Sequence, residues 1–163
     1  MARSNDQRKA VTMKQTPDER DVRERMAPGV LSREGFLGTD TRRVSEIVEA
    51  DAATLARLGT TCESLAERLR RALEAALAGL GAPVPTGGGV TATWHEAMGR
   101  IPCPFGRCGT FPKGEVELAD SASGEKVVFT PLSVHLIERH GFFQGAGSRY
   151  RLDPALLVRL LPQ

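Results

Sequence analysis

Residues 101–141 read IPCPFGRCGTFPKGEVELADSASGEKVVFTPLSVHLIERHG, and the order of elements within this stretch decides the fold. Cys103 and Cys108 enclose a Pro and a Gly, so the chain can turn back between them and aim two thiolates at one point. Residues 115–118 and 126–130 carry strand patterning on either side of the turn-forming DSASG at 120–124, which predicts a β-hairpin. Thr130 followed by Pro131 is an N-cap and a first helical residue, 132–140 is helical, and Gly141 is suited to a left-handed stop. A helix of about ten residues is marginal by itself. The sequence therefore predicts an anchor for it.

The expected anchor is a metal. His135 and His140 lie at the middle and the end of that helix, and with Cys103 and Cys108 they make a Cys2His2 set suited to a closed tetrahedral zinc site. Five residues of ideal helix rotate by about 140°, so shared ligation predicts a last turn loosened before Gly141. Two other readings stand beside it: ordinary buried thiols with hydrogen-bonded helix histidines, and a redox pair of Cys103 and Cys108, spaced more widely than CxxC. His95, next to Trp94, is a reserve ligand.

A cysteine pair in a turn, a β-hairpin and a helix ending in two histidines resemble the C2H2 zinc finger in its ββα order. The resemblance covers residues 101–141 and implies a structural zinc. It departs from the family in spacing, with 26 residues between Cys108 and His135 where the family has about a dozen. Its DNA-reading positions do not carry over.

Working outward, residues 90–97 alternate as a strand, and 82–89, within GAPVPTGGG, read as a linker. Upstream, Val44, Ile47, Val48, Leu55 and Leu58 share one face of a helix that Gly59 ends. Thr60 and Glu63 form a capping box for the next helix, whose stripe runs through Leu65, Leu69, Leu73, Leu77 and Leu80. Cys62 lies on that stripe and reads as a small core residue. These two helices predict a hairpin over 29–81. Residues 1–28 mix both charges with few large apolar side chains and read as a disordered tail.

Downstream, Gly145, Gly147, Ser148, Arg149 and Arg151 combine approachable backbone amides, a hydroxyl and two guanidinium forks, which suggests an anion-binding loop. The competing reading is a tight turn in which Phe142 and Phe143 plug the core; neither GK[ST] nor GxGxxG is present. Asp153-Pro154 opens a last helix expected to dock on the N-terminal hairpin. The expected fold is α+β, with a tail at 1–28, a helical hairpin at 29–81, a linker at 82–89 and a zinc-binding α+β domain at 90–163.

Net charge is +2, and it divides into +2, −2 and +2 over residues 1–28, 29–98 and 99–163, so no segment carries the clustered basic face of a nucleic-acid footprint. No stretch is apolar enough for a membrane span, and the N-terminus lacks a signal-peptide pattern, from which a cytoplasmic protein with no membrane contact is expected. Three cysteines do not make a disulfide framework. Only eight aromatic residues are present, so metal is expected to replace part of a thin C-terminal core. The first functional expectation is a zinc-stabilised module binding an anionic group on a protein or nucleic acid through the 145–151 loop. The second is a zinc-dependent hydrolase or nuclease with Glu138 or His95 as base. The third is an assembly scaffold, a homo-oligomer joined through the leucine-rich helices, although packing within the chain is the favoured use of those leucines.

Overall fold

The computed structural model describes residues 17–163. Its elements in chain order are α1 (Pro17–Arg25), α2 (Val44–Arg57), α3 (Cys62–Ala78), β1 (Val84–Gly87), β2 (Val90–His95), β3 (Arg100–Pro102), β4 (Thr110–Pro112), β5 (Glu115–Asp120), β6 (Lys126–Phe129), α4 (Pro131–His140) and α5 (Pro154–Leu160). Five helices thus surround a four-stranded antiparallel sheet, ordered β1-β2-β5-β6, and a separate two-stranded sheet, β3-β4. The class is α+β, as the sequence predicts.

The alternation of β2 and β5 decides which face is covered. Val90, Ala92 and Trp94 are buried on β2, Val116 and Leu118 on β5, and the register sets Ala92 opposite Leu118 and Trp94 opposite Val116. Onto this face α3 packs its stripe of Leu65, Ala66, Leu69, Ala72 and Ala76, repeated at three- and four-residue steps. Further along α3 the stripe leaves the core, and Leu80 beyond its end is solvent-facing. α4 lies against α3, and α5 packs on α2, which is the docking expected of the last helix.

A second cluster sits beside the first. Met26, Phe36, Leu37, Val44, Ile47, Leu132, Leu136 and Phe142 surround Cys103, with Ile101, Phe105 and Phe111 packed at its edge. Both clusters draw residues from either side of 82–89, so the two parts of the chain share their cores.

Three local expectations are corrected. Residues 1–16 of the expected tail lie outside the described residues, but residues 17–25 form α1. Asp18 and Glu19 in its first turn and Arg23 and Arg25 in its last suit the helix dipole, and Met26 beyond it is fully buried. Residues 84–87, read as linker, pair with β2 as an edge strand, the place in a sheet where Pro85 is tolerated. Gly87, Gly88 and Gly89 then turn the chain with φ of 109°, 62° and 80°. Finally, α3 is capped by Thr61, whose hydroxyl accepts from Ser64 N at 3.1 Å, and not by Thr60.

Candidate metal centre

Cys103 follows β3 and Cys108 precedes β4, so the two-stranded hairpin holds both thiols at its tip. Cys103 N donates to Gly109 O (3.3 Å) and Gly106 N to Cys103 O (3.1 Å), closing the turn. Gly106 and Gly109 take φ of 86° and 88°, values that the absence of a Cβ makes accessible. From α1, Arg25 donates Nε to Pro104 O (2.6 Å) and Nη2 to Phe105 O (3.3 Å), pinning the turn from outside.

The imidazoles come from α4, whose start is the expected one: Ser133 N donates to Thr130 Oγ1 at 3.2 Å, and Pro131 follows the cap. Its end corrects an expectation. The helix continues to His140 and closes through Gly141 N to Ile137 O (3.0 Å) and Phe142 N to Leu136 O (3.1 Å), with Gly141 at φ 60°. The last turn is not loosened. His140 instead is the last helical residue, with no further turn crowding it, and its ring stacks on Phe105 at 4.0 Å and 6°. Phe111 covers the His135 ring at 4.5 Å, and the two imidazoles meet at 5.3 Å and 75°.

One donor atom from each of Cys103, Cys108, His135 and His140 lies within 4.8 Å of the other three. His140 Nε2 is 3.6 Å from Cys103 Sγ and 3.5 Å from Cys108 Sγ. Among the described residues, His135 Nε2 is buried and has no hydrogen-bond partner. An unpaired ring nitrogen inside a protein costs about 1–3 kcal/mol, and here it costs that beside two thiols and a second imidazole. The four residues are close enough to hold a metal ion.

No protein-family model, curated protein or solved structure matches the chain. The small sheet, the helix and the Cys/His cluster are therefore this chain's own evidence. Compared with the zinc-finger order, the thiol hairpin and the histidine helix are both present, and the long interval from Cys108 to His135 is filled by β4, β5 and β6.

Burial shifts the protonation of Cys103, His135 and His140. It pushes the Cys103 thiol up to about 11, helped by the neighbouring Cys108. It also lowers both imidazoles, with Arg139 adding to the effect at His135 and His135 adding to it at His140. Neutral imidazoles present lone pairs, whereas a buried thiol keeps its proton at neutral pH until a cation stabilises the thiolate. Cys62 packs against the first core, outside the cluster, with its thiol raised by burial and by Glu63. His95 ends β2 opposite Glu115 and is exposed. Neither joins the site.

The 145–151 loop meets anions that belong to the chain itself. Gly145 N donates to Phe36 O (2.9 Å), Ala146 N to Asp40 Oδ2 (3.1 Å) and Ser148 N to Gly145 O (3.1 Å). Arg151 grips Asp51 through Nη1 (2.5 Å) and Nη2 (2.8 Å), and Ser148 Oγ donates to Gln144 Oε1 (2.6 Å). A Cβ on Gly145 would overlap the Leu37 backbone, so that glycine serves close packing of two loops. Gly147 takes φ of 81°, and a Cβ there would sit 3.0 Å from the Thr39 hydroxyl. Of the loop's two arginines, Arg149 is the exposed one, 3.5 Å from Glu115 and near the Tyr150 ring.

Sequence reasoning missed Phe105, Phe111 and Arg25. Both phenylalanines were legible as apolar residues next to the thiols, in CPFGRC and GTFP. Arg25 bonds to a turn 79 and 80 residues away, and no local pattern signals that.

Proposed function

We propose that the chain is a zinc-stabilised binding module in which Cys103, Cys108, His135 and His140 hold one Zn2+. The observation that carries this is the convergence of one donor atom from each of the four residues within 4.8 Å of the others, on a histidine, His135, whose buried Nε2 has no hydrogen-bond partner among the described residues. Zinc–sulfur bonds of about 2.3 Å and zinc–nitrogen bonds of about 2.0–2.1 Å set a sulfur–nitrogen tetrahedron edge of about 3.6 Å. The two sulfur–nitrogen separations of 3.6 and 3.5 Å agree with that edge. Two soft thiolates with two imidazoles favour zinc over the oxygen-seeking cations.

Four protein donors fill a tetrahedron, so the ion would serve as a cross-link between the β3-β4 hairpin and α4, and would leave no position for an activated water. A hydrolase would need one donor to be free and a base nearby. Glu138, a candidate base, is held by Arg70 Nη2 at 2.7 Å, and His95 lies outside the cluster. Binding is accordingly favoured over turnover, with a protein or nucleic acid as partner. The 145–151 loop would contribute to it through Arg149.

Metal analysis of the full chain tests this. Zinc near one per chain is expected, with thiolate-to-metal charge-transfer bands on cobalt(II) substitution. Both should be lost in Cys108→Ser and weakened in His135→Ala. A folded chain with no metal after refolding in zinc, or cobalt spectra unaffected by Cys108→Ser, would overturn it.

A further inference from the structure

A cavity of about 400 Å³ opens beside the β3-β4 hairpin, where the 32–36 loop, Ala97, β3-β4, the start of α4 and the 144–150 loop converge. That is within the size range of small-molecule sites, about 300–1,000 Å³. Its floor is apolar, formed by Phe36, Ile101 and Leu132. Its rim is cationic. Arg33, Lys113 and Arg149 are exposed there beside a single carboxylate, Glu34. Among the described residues Arg33 and Lys113 pair with no carboxylate, and Arg149 reaches Glu115 only at 3.5 Å.

Gln144 supplies an independent sign. It is 4 % exposed, lines this cavity and takes φ 69°, a left-handed conformation rarely adopted outside glycine. Its Oε1 accepts from Ser148 Oγ at 2.6 Å, while its amide nitrogen donates to no group among the described residues. On this buried residue the carboxamide nitrogen is left free to donate, which in an apolar-floored, cation-rimmed cavity suits an oriented polar contact to a ligand.

We propose that this cavity binds a small organic anion, a molecule with an apolar body for the floor and a carboxylate, sulfonate or phosphate for Lys113, Arg149 and Gln144. The site is separate from the metal, although its Ile101 wall belongs to the hairpin that the cysteines close.

The probe 8-anilinonaphthalene-1-sulfonate has this chemistry, and N-phenyl-1-naphthylamine has the same body without the charge. Fluorescence titration of the folded full chain is expected to give one saturable sulfonate site of micromolar affinity. Lys113→Glu and Arg149→Glu, both at exposed positions, should each weaken it by about tenfold, as for loss of a charge-assisted contact. They should leave the neutral probe unaffected. Arg71→Glu, on α3 away from the cavity, controls for net charge and should change neither probe. Equal weakening by all three reversals, weak binding at several sites, or no saturable binding would overturn the proposal. Zinc content is read on the same samples, so a metal-free folded chain that still binds the sulfonate upholds this inference while removing the zinc module.

Discussion

Asp40 is buried, and every bond its carboxylate accepts comes from the Arg42 guanidinium or a backbone N–H. Oδ1 accepts from Arg42 N (3.2 Å) and Arg42 Nε (2.9 Å), and Oδ2 accepts from Arg42 Nη2 (2.7 Å) and Ala146 N (3.1 Å). The Arg42 guanidinium holds this carboxyl well below the usual carboxylate range; burial opposes the shift and the Ala146 N–H adds to it. A folded-state value below the unfolded one means stability that is present above the unfolded pKa, about 4, and is lost as pH falls through the folded value. Asp40→Asn should therefore lower stability at pH 7 by about 2 kcal/mol, the scale of hydrogen bonds to a charged group. The gap between variant and parent should narrow below about pH 4, measured by urea unfolding across pH. A gap constant down to pH 2 would mean that shape, and not charge, carries the role of this side chain.

At the scale of elements, α1 shows how a helix without a core stripe of its own can still belong to the fold. Its last residue, Arg25, takes the carbonyls of Pro104 and Phe105, and the next, Met26, enters the second core. Outer partners of metal ligands often alter affinity by about ten- to hundred-fold. If the four residues hold zinc as proposed, Arg25→Ala should raise the zinc dissociation constant about tenfold, read by competition with a chromophoric chelator, with the thiolate bands of the cobalt spectrum retained. An unaltered affinity would reduce α1 to a passive cover. The elements differ in how legible they were for physical reasons. α4 and α5 carry their own stops and starts, in Thr130-Pro131, Gly141 and Asp153-Pro154, and both were readable from residue types. β5 and β6 show alternation around a turn. By contrast β3 and β4 are three residues each, too short for any period, and pair around a turn closed by backbone bonds of Cys103. β1 was hidden by Pro85, which a sheet tolerates at its edge, and by Gly87 at the irregular end of its register. The four candidate ligands were legible from residue type and spacing, while their convergence depends on ring packing from Phe105 and Phe111 that spacing does not encode.

For the whole molecule, the arrangement of two cores decides what removal of the proposed zinc would do. A thin C-terminal core would make the entire domain depend on the ion, yet Val116, Leu118, Phe129 and Phe143 are fully or almost fully buried in the first cluster together with α3. That cluster contains none of the four donors. The second cluster contains Cys103, is walled by Phe105 and Phe111, and joins α1, the β3-β4 hairpin and the Leu132–Leu136 side of α4. Loss of the ion would leave the His135 nitrogen unpaired and the hairpin tip without its cross-link, but would remove no contact between α3 and the large sheet. Local opening follows the weakest cooperative unit, so the two clusters should separate in stability. After chelation, hydrogen exchange is expected to accelerate in β3, β4, the last turn of α4 and α1. The amides of β2, β5 and the middle of α3 should keep their protection. Thermal unfolding should change from one transition to two, the earlier being restored by added zinc. Uniform acceleration across both clusters would show instead that the ion holds the whole chain, and protection unchanged at the hairpin would show that the second core stands without it.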